Sequence, residues 1–373
     1  MKKILKRLSK KIAAALLIGT TAVTLSVPAP AVSTAEAGLG DAIGVAISIG
    51  SMAAQRSAVK KEIEKIDSTE EGRKELLTQF QEKLGVNNDY TLNQRIQSVM
   101  SNLERGVAAV DPTVNDQKYI WFINNDQSIN AFCALGRVMS INTGLMNHFT
   151  SDDEIAAVLG HEMGHGQKGH VKKGIMKQVD TIIALSVGAA AAGGSSLSNL
   201  AANIANIHIN AHATKKNEWE ADNMAFEYLK NTNYNLGACA AIQQKFVEME
   251  QGHGRSGFDQ IFNPSDHPNS EARRDNYIKK LTEYSGGHVT MKDGTVSINK
   301  KLFTTPTATN SMSAAERACF VMGNLAAAYH NGHNKSDAYV SGNVLYLGAQ
   351  PIMTIEYGDE SGQVLVERLN SNK

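Results

Sequence analysis

His161-Glu162-Met163-Gly164-His165 lies inside a stretch that must be helical, and this limits the fold more than any other feature of the chain. Ser151-Asp152-Asp153-Glu154 supplies a hydroxyl and, three residues on, a glutamate, the pattern that caps a helix start. It predicts a helix running to about His170. Residues four apart on a helix differ by about 40° in azimuth, so His161 and His165 can aim both imidazoles at one point, with Glu162 beside them. A catalytic zinc site needs this arrangement, together with a third protein ligand and an open position for water. The fold must bring that third ligand from elsewhere.

Two segments compete for the role. Extension of the motif to a third histidine on the same stretch fails, because Lys168 and Val171 stand where that pattern needs Gly and His. His170 is nine residues from His161, on roughly the opposite helix face, and reads as a surface or packing residue. The other segment is Asn217-Glu218-Trp219-Glu220-Ala221-Asp222. On a helix, Glu218 and Asp222 share a face while Glu220 points away. Glu218 then completes a His-His-carboxylate set, which suits zinc, and Asp222 can accept the second N–H of a ligating imidazole.

From about Tyr90 to Tyr284 the chain resembles the gluzincin metallopeptidases of the CAAX-prenyl-protease and HtpX type, particularly their periplasmic BepA-like and LoiP-like members. The resemblance rests on Asn130-Ala131-Phe132 with Gly136, Thr143-Gly144-Leu145, the helix from Glu154 to His165, Glu218 with Ala221-Asp222, and His267-Pro268 with Arg273. It implies an α+β, mostly helical, zincin-like domain with a small antiparallel sheet. It also implies one Zn²⁺ per chain on His161, His165 and Glu218, with Glu162 as general base and Asp222 behind the ligands. His267, steadied by Arg273, is the candidate for stabilising the oxyanion or capping the metal. An edge strand, Val138-Met139-Ser140-Ile141-Asn142-Thr143, is expected to hold extended polypeptide substrates by backbone pairing. The chain departs from the family at Asn233-Tyr234, where Gly-Tyr is usual, and at Gly164 and Gly166, which loosen a helix that usually carries larger residues. Its C-terminal part does not resemble the tetratricopeptide repeats of BepA-like proteins, so their outer-membrane assembly partners are not carried over.

Lys2, Lys3, Lys6, Arg7, Lys10 and Lys11 precede an apolar run from Ile12 to Val27, then Pro28 and Pro30. This reads as a signal peptide over residues 1–37, cut after Ala37 in preference to Ala31, and places the protein in the periplasm or cell envelope. An uncleaved anchor is the rival reading. The zero net charge hides an asymmetry: six of the 37 Lys/Arg but one of the 37 Asp/Glu lie in that leader, so the remainder carries 31 basic against 36 acidic side chains. A mildly acidic chain without a basic tract excludes broad nucleic-acid binding. Cys133, Cys239 and Cys319 are too few and too scattered for a disulfide framework.

The expected organisation after the leader is a helical segment over 38–89, the metallopeptidase domain over 90–285 and a smaller α+β accessory domain over 286–373. Strands are expected at Lys118–Asn124, Ala131–Ala134 and Val138–Thr143, and a terminal hairpin from Pro351–Tyr357 and Val364–Leu369. Thr181 to Ile207 carries no charged residue, but Gly and Asn interrupt it, so it reads as buried or surface-hydrophobic helices able to associate peripherally with a membrane, in preference to a membrane span. The sequence thus points to an exported zinc endopeptidase acting on unfolded or misassembled envelope proteins. An envelope chaperone or assembly factor with a latent or structural zinc site is the alternative, and an integral membrane peptidase ranks third.

Overall fold

The computed structural model describes residues 52–189, 214–253 and 269–373. The expected leader, most of Thr181–Ile207, and His267 with Pro268 lie outside them. The first two described helices, α1 (Met52–Ser68) and α2 (Glu70–Leu84), meet where the Thr69 side chain caps α2 by accepting from the Gly72 amide. Their apolar residues Val59, Ile63, Ile66 and Leu76 pack with Leu135 and Val138. Arg73 on α2 is buried and donates to the carbonyls of Gly136 and Lys118, fixing the turn between two strands. Helix α3 (Tyr90–Val110) is amphipathic and buries Ile96, Val99, Met100, Leu103 and Val107.

The sheet beside the helix that carries the His161–His165 motif has three short strands, β1 (Ile120–Asn124), β2 (Ala131–Cys133) and β3 (Val138–Asn142), in the order β1-β3-β2. β3 runs parallel to β1 and antiparallel to β2, so the fold class holds with one parallel pair added to the expected antiparallel sheet. Val138 to Thr143 is therefore not a free edge. Val138–Asn142 is fully buried and paired on both sides, and Thr143 already opens helix α4 (Thr143–His148). Substrate pairing along 138–143 is excluded because its backbone groups are already committed. Among the described residues, the sheet edge nearest the motif is that of β2.

Helix α5 (Asp152–Lys168) carries the motif, followed by α6 (His170–Ala189), α7 (Lys215–Leu229), α8 (Ala238–His253) and α9 (Ser270–Tyr284). Residues 289–372 then repeat one pattern twice, three antiparallel strands and a helix. The first unit is β4 (Val289–Lys292), β5 (Thr295–Ile298), β6 (Lys301–Thr304) and α10 (Ala314–His330). The second is β7 (Ala338–Ser341), β8 (Val344–Leu347), β9 (Gln350–Thr354) and α11 (Gly362–Asn372). The terminal hairpin is thus corrected, since β9 pairs with β8 and residues 364–369 are helical. Val364 and Val366 suggest a strand, but the Ser361 side chain caps the segment and Leu365 and Leu369 are buried at helical spacing. Apolar residues of these units, such as Val296, Phe303, Leu345 and Ile352, join the same core as α5 and α8. The three cysteines are buried and unpaired. Among the described residues no helix is long and apolar enough to cross a membrane.

Candidate active site

The start of α5 is fixed as its sequence requires. Ser151 Oγ accepts from the Asp153 amide at 3.1 Å, Glu154 returns a contact to the Ser151 amide, and Lys245 of α8 neutralises the buried Glu154 carboxylate at 2.9 Å. The helix ends at Gly169, whose left-handed backbone (φ 61°, ψ 36°) a residue with a side chain adopts only at a cost. Between these ends, Gly160 and Gly164 sit four apart on the face towards α7. A Cβ on Gly164 would lie 2.9 Å from the Ala221 carbonyl oxygen, so the absent side chain is what lets the two helices come this close. The glycine expected to loosen the helix instead brings Glu218 to the histidines. Gly166 is equally confined, by Tyr119 and Cys133.

His161, His165 and Glu218 converge as buried residues. The two Nε2 atoms are 3.1 Å apart, and the Glu218 oxygens lie 3.4 Å from His161 Nε2 and 3.2 Å from His165 Nε2. Ligands about 2.0–2.1 Å from a tetrahedral zinc are separated from one another by about 3.3 Å, and each of these three separations is close to that, with Oε2 of Glu218 turned to His161 and Oε1 to His165. Two imidazoles and a carboxylate at this spacing fit zinc. Burial alone lowers the pKa of His161, yet hydrogen bonds to Asp222 and Glu218 outweigh it and push it up to about 10, whereas burial pulls His165 down to about 4. The buried carboxylates thus draw positive charge into the pocket.

Asp222 backs His161 as expected, with Oδ1 2.9 Å from Nδ1. Burial would raise its pKa, but Arg273 and the bond to His161 hold it well below the ordinary carboxylate range. Arg273 grips it in bidentate fashion, at 2.8 Å from Nε and 2.6 Å from Nη2, and the Tyr277 hydroxyl donates to Oδ1 at 2.9 Å. The structure therefore brings Arg273 to Asp222, while His267 lies outside the described residues. Tyr277 was not singled out in the sequence, although its spacing of four from Arg273 on α9 is the signal that reveals it.

Glu162 is buried beside β2, where its Oε2 accepts from the Cys133 amide at 3.2 Å. Burial pushes its pKa up to about 7. A divalent cation on the neighbouring ligands favours the ionised form and brings it back down. The Ala134 amide donates to the Val138 carbonyl and the Asn142 amide to the Asn130 carbonyl, so residues 130 and 134 bond towards β3. By strand alternation the backbone groups of Ala131 and Cys133 point the other way, to the side where Glu162 lies. His170 also departs from its sequence reading. The break at Gly169 removes it from the helical wheel of α5, and it is buried with Nδ1 2.9 Å from His165 Nδ1.

Comparison with known proteins agrees with this geometry. The model of peptidase family M48 matches residues 91–285. The chain is 33% identical to the metalloprotease LoiP of Escherichia coli over 172 residues, covering 44% of this chain and 64% of LoiP. It is 30% identical over 161 residues to a putative beta-barrel assembly-enhancing protease of Vibrio cholerae, covering 40% of this chain and 32% of that protein. It is 29% identical over 157 residues to the metalloprotease YcaL of E. coli, covering 40% of this chain and 60% of YcaL. The chain thus spans less than two thirds of each of these relatives. With the family match extending over more than half its length, the chain belongs to peptidase family M48, and residues 91–285 are a metallopeptidase domain of that family.

Proposed function

We propose that the protein is an exported zinc endopeptidase that hydrolyses peptide bonds in unfolded or misassembled cell-envelope proteins. The observation that carries this reading is the convergence of His161, His165 and Glu218, with the two Nε2 atoms 3.1 Å apart and a Glu218 oxygen within 3.4 Å of each, and Glu162 next to them. Zinc, when bound, supplies Lewis acidity, polarising a carbonyl and shifting the pKa of water towards about 7. Glu162 takes the proton of the attacking water and delivers it to the leaving amine nitrogen. The Cys133 amide keeps that carboxylate in place, and Asp222, gripped by Arg273 and Tyr277, keeps the proton of His161 on Nδ1 so that Nε2 faces the ligand triangle.

An extended polypeptide adds to the side of β2 away from β3, donating N–H groups to the Ala131 and Cys133 carbonyls while the Cys133 amide stays on Glu162, and lays its scissile carbonyl beside Glu162. His267 is the proposed group for stabilising the oxyanion. The basic and apolar leader supports export, and the likeness to a putative beta-barrel assembly-enhancing protease supports the envelope role. The test is incubation of the mature chain with unfolded casein and with a compact folded protein. The expected result is cleavage of casein alone, abolished by a chelator and restored by zinc. Zinc binding without cleavage, combined with suppressed aggregation of an unfolded client, overturns the enzyme in favour of a chaperone.

A further inference from the structure

The two ligating histidines are held from behind in different ways. His161 leans on a carboxylate, Asp222, that is wholly buried. His165 leans on another imidazole. Its Nδ1 is 2.9 Å from Nδ1 of His170, and His170 Nε2 is 3.2 Å from Glu220 Oε2. The first and second rings meet edge to face with centroids 4.9 Å apart. Glu220 is partly exposed, and its other oxygen lies 3.8 Å from Lys168 Nζ.

The direction of the protons in this chain follows from the first member. A metal ligand presents a lone pair, so with Nε2 turned to the His161–Glu218 triangle, His165 must carry its proton on Nδ1. It donates to His170 Nδ1, which is then an acceptor. His170 in turn carries its proton on Nε2 and donates it to Glu220. Each of the three groups has one tautomer or charge state that satisfies both neighbours.

The geometry points to His170 and Glu220 as a second positioning relay, which fixes the tautomer and ring orientation of His165 and thereby sets metal affinity. Neither residue touches the substrate or the metal, so both are positioning residues. The relay depends on the chain turn at Gly169, since only a break in α5 allows His170 to fold back on His165. Glu220, which faces away from Glu218 along α7, thus serves the same centre through a different ligand.

This inference rests on His161, His165 and Glu218 as the metal ligands, and the experiment separates the two. Zn²⁺ and Co²⁺ affinities of the mature chain are measured by competition with a chromophoric chelator, and the visible spectrum of the cobalt form is recorded. His170→Ala is expected to weaken binding about tenfold to a hundredfold, the usual cost of losing a partner behind a ligand, and to shift the cobalt bands. His170→Asn, which restores an acceptor oxygen near Nδ1, is expected to recover part of that loss. Because His170 is buried, Glu220→Ala on the helix surface provides the independent variant, with a smaller loss and the same direction of spectral shift. Wild-type affinity and an unchanged cobalt spectrum in Glu220→Ala and in folded His170→Ala overturn the relay while leaving the ligands standing. A wild-type chain that binds neither ion overturns both.

Discussion

Arg273 and Asp222 form a bidentate ion pair, Nη2 to Oδ1 at 2.6 Å and Nε to Oδ2 at 2.8 Å, with the carboxylate wholly buried directly behind His161. Removing Arg273 leaves Asp222 charged and buried with only the Tyr277 hydroxyl and His161 Nδ1 as partners, which costs more than the pair contributes. Arg273→Ala is expected to lower unfolding free energy by about 3–5 kcal/mol. Denaturant titration of the metal-free chain measures it. A loss below about 1 kcal/mol is the size typical of exposed pairs and contradicts this account.

Gly160 and Gly164 look alike in sequence but face different neighbours, and alanine separates them. At Gly164 the new Cβ meets backbone, the Ala221 carbonyl oxygen at 2.9 Å and Cα at 3.0 Å, so α7 must retreat and carry Glu218 with it. At Gly160 it meets the end of a side chain, Leu229 Cδ1, which can rotate away. Gly164→Ala is expected to destabilise by about 1–3 kcal/mol and to weaken zinc binding. Gly160→Ala is expected to be close to neutral, since alanine's helix propensity, worth about 1 kcal/mol, offsets the readjustment. Chemical denaturation and chelator competition on both variants check the contrast.

Substrate pairing along β2 gives a prediction about the substrate rather than the enzyme. If the chain being cut donates N–H groups to Ala131 and Cys133, methylating a peptide amide at the pairing position removes a donor and adds a clash. Scanning single N-methyl groups along a cleaved peptide is expected to reveal one or two alternating positions near the scissile bond where kcat/KM falls at least about tenfold, the equivalent of about 1.4 kcal/mol. A flat scan excludes strand addition.

A pH effect is expected far from the metal centre. Burial would raise the pKa of Asp359, but Arg317 and the amides of Thr307 and Glu356 bring it down to about 2. A carboxyl whose pKa is lower folded than unfolded adds stability above its unfolded value, and that stability disappears as pH falls through the folded value. Asp359→Asn is therefore expected to cost on the order of 2 kcal/mol at pH 7, with the gap to wild type narrowing between about pH 4 and pH 2. Denaturant midpoints at a series of pH values test the sign.

The His161, His165 and Glu218 cluster and the Asp222 behind it were legible because each pair lies on one helix, where pitch alone places residues four apart on a common face: His161 with His165, Glu218 with Asp222. The helix start at Ser151 was legible for the same local reason. What sequence did not reveal depends on contacts between distant segments or on one backbone angle. The central position of β3 follows from its parallel pairing with β1, which no local pattern encodes. His170 was misplaced because the helical wheel assumes continuity, and Gly169 turns left-handed. The terminal helix was misread because Val364 and Val366 favour strands, while burial at Leu365 and Leu369 decides the matter. The doubled strand-and-helix unit in 289–372 escaped notice because the two copies share pattern more than identity.

The central claim, a metal held by His161, His165 and Glu218 with Glu162 as the working base, is tested most directly by metal content and turnover in the same samples. Wild type and Glu162→Gln are expected to hold one zinc per chain, with casein cleavage in the variant reduced by about a thousandfold or more, since general-base loss costs about 10²–10⁴ and the residue also donates the proton onward. Glu218→Ala is expected to lose the metal. Absence of zinc from wild type, or undiminished cleavage by Glu162→Gln, contradicts the account.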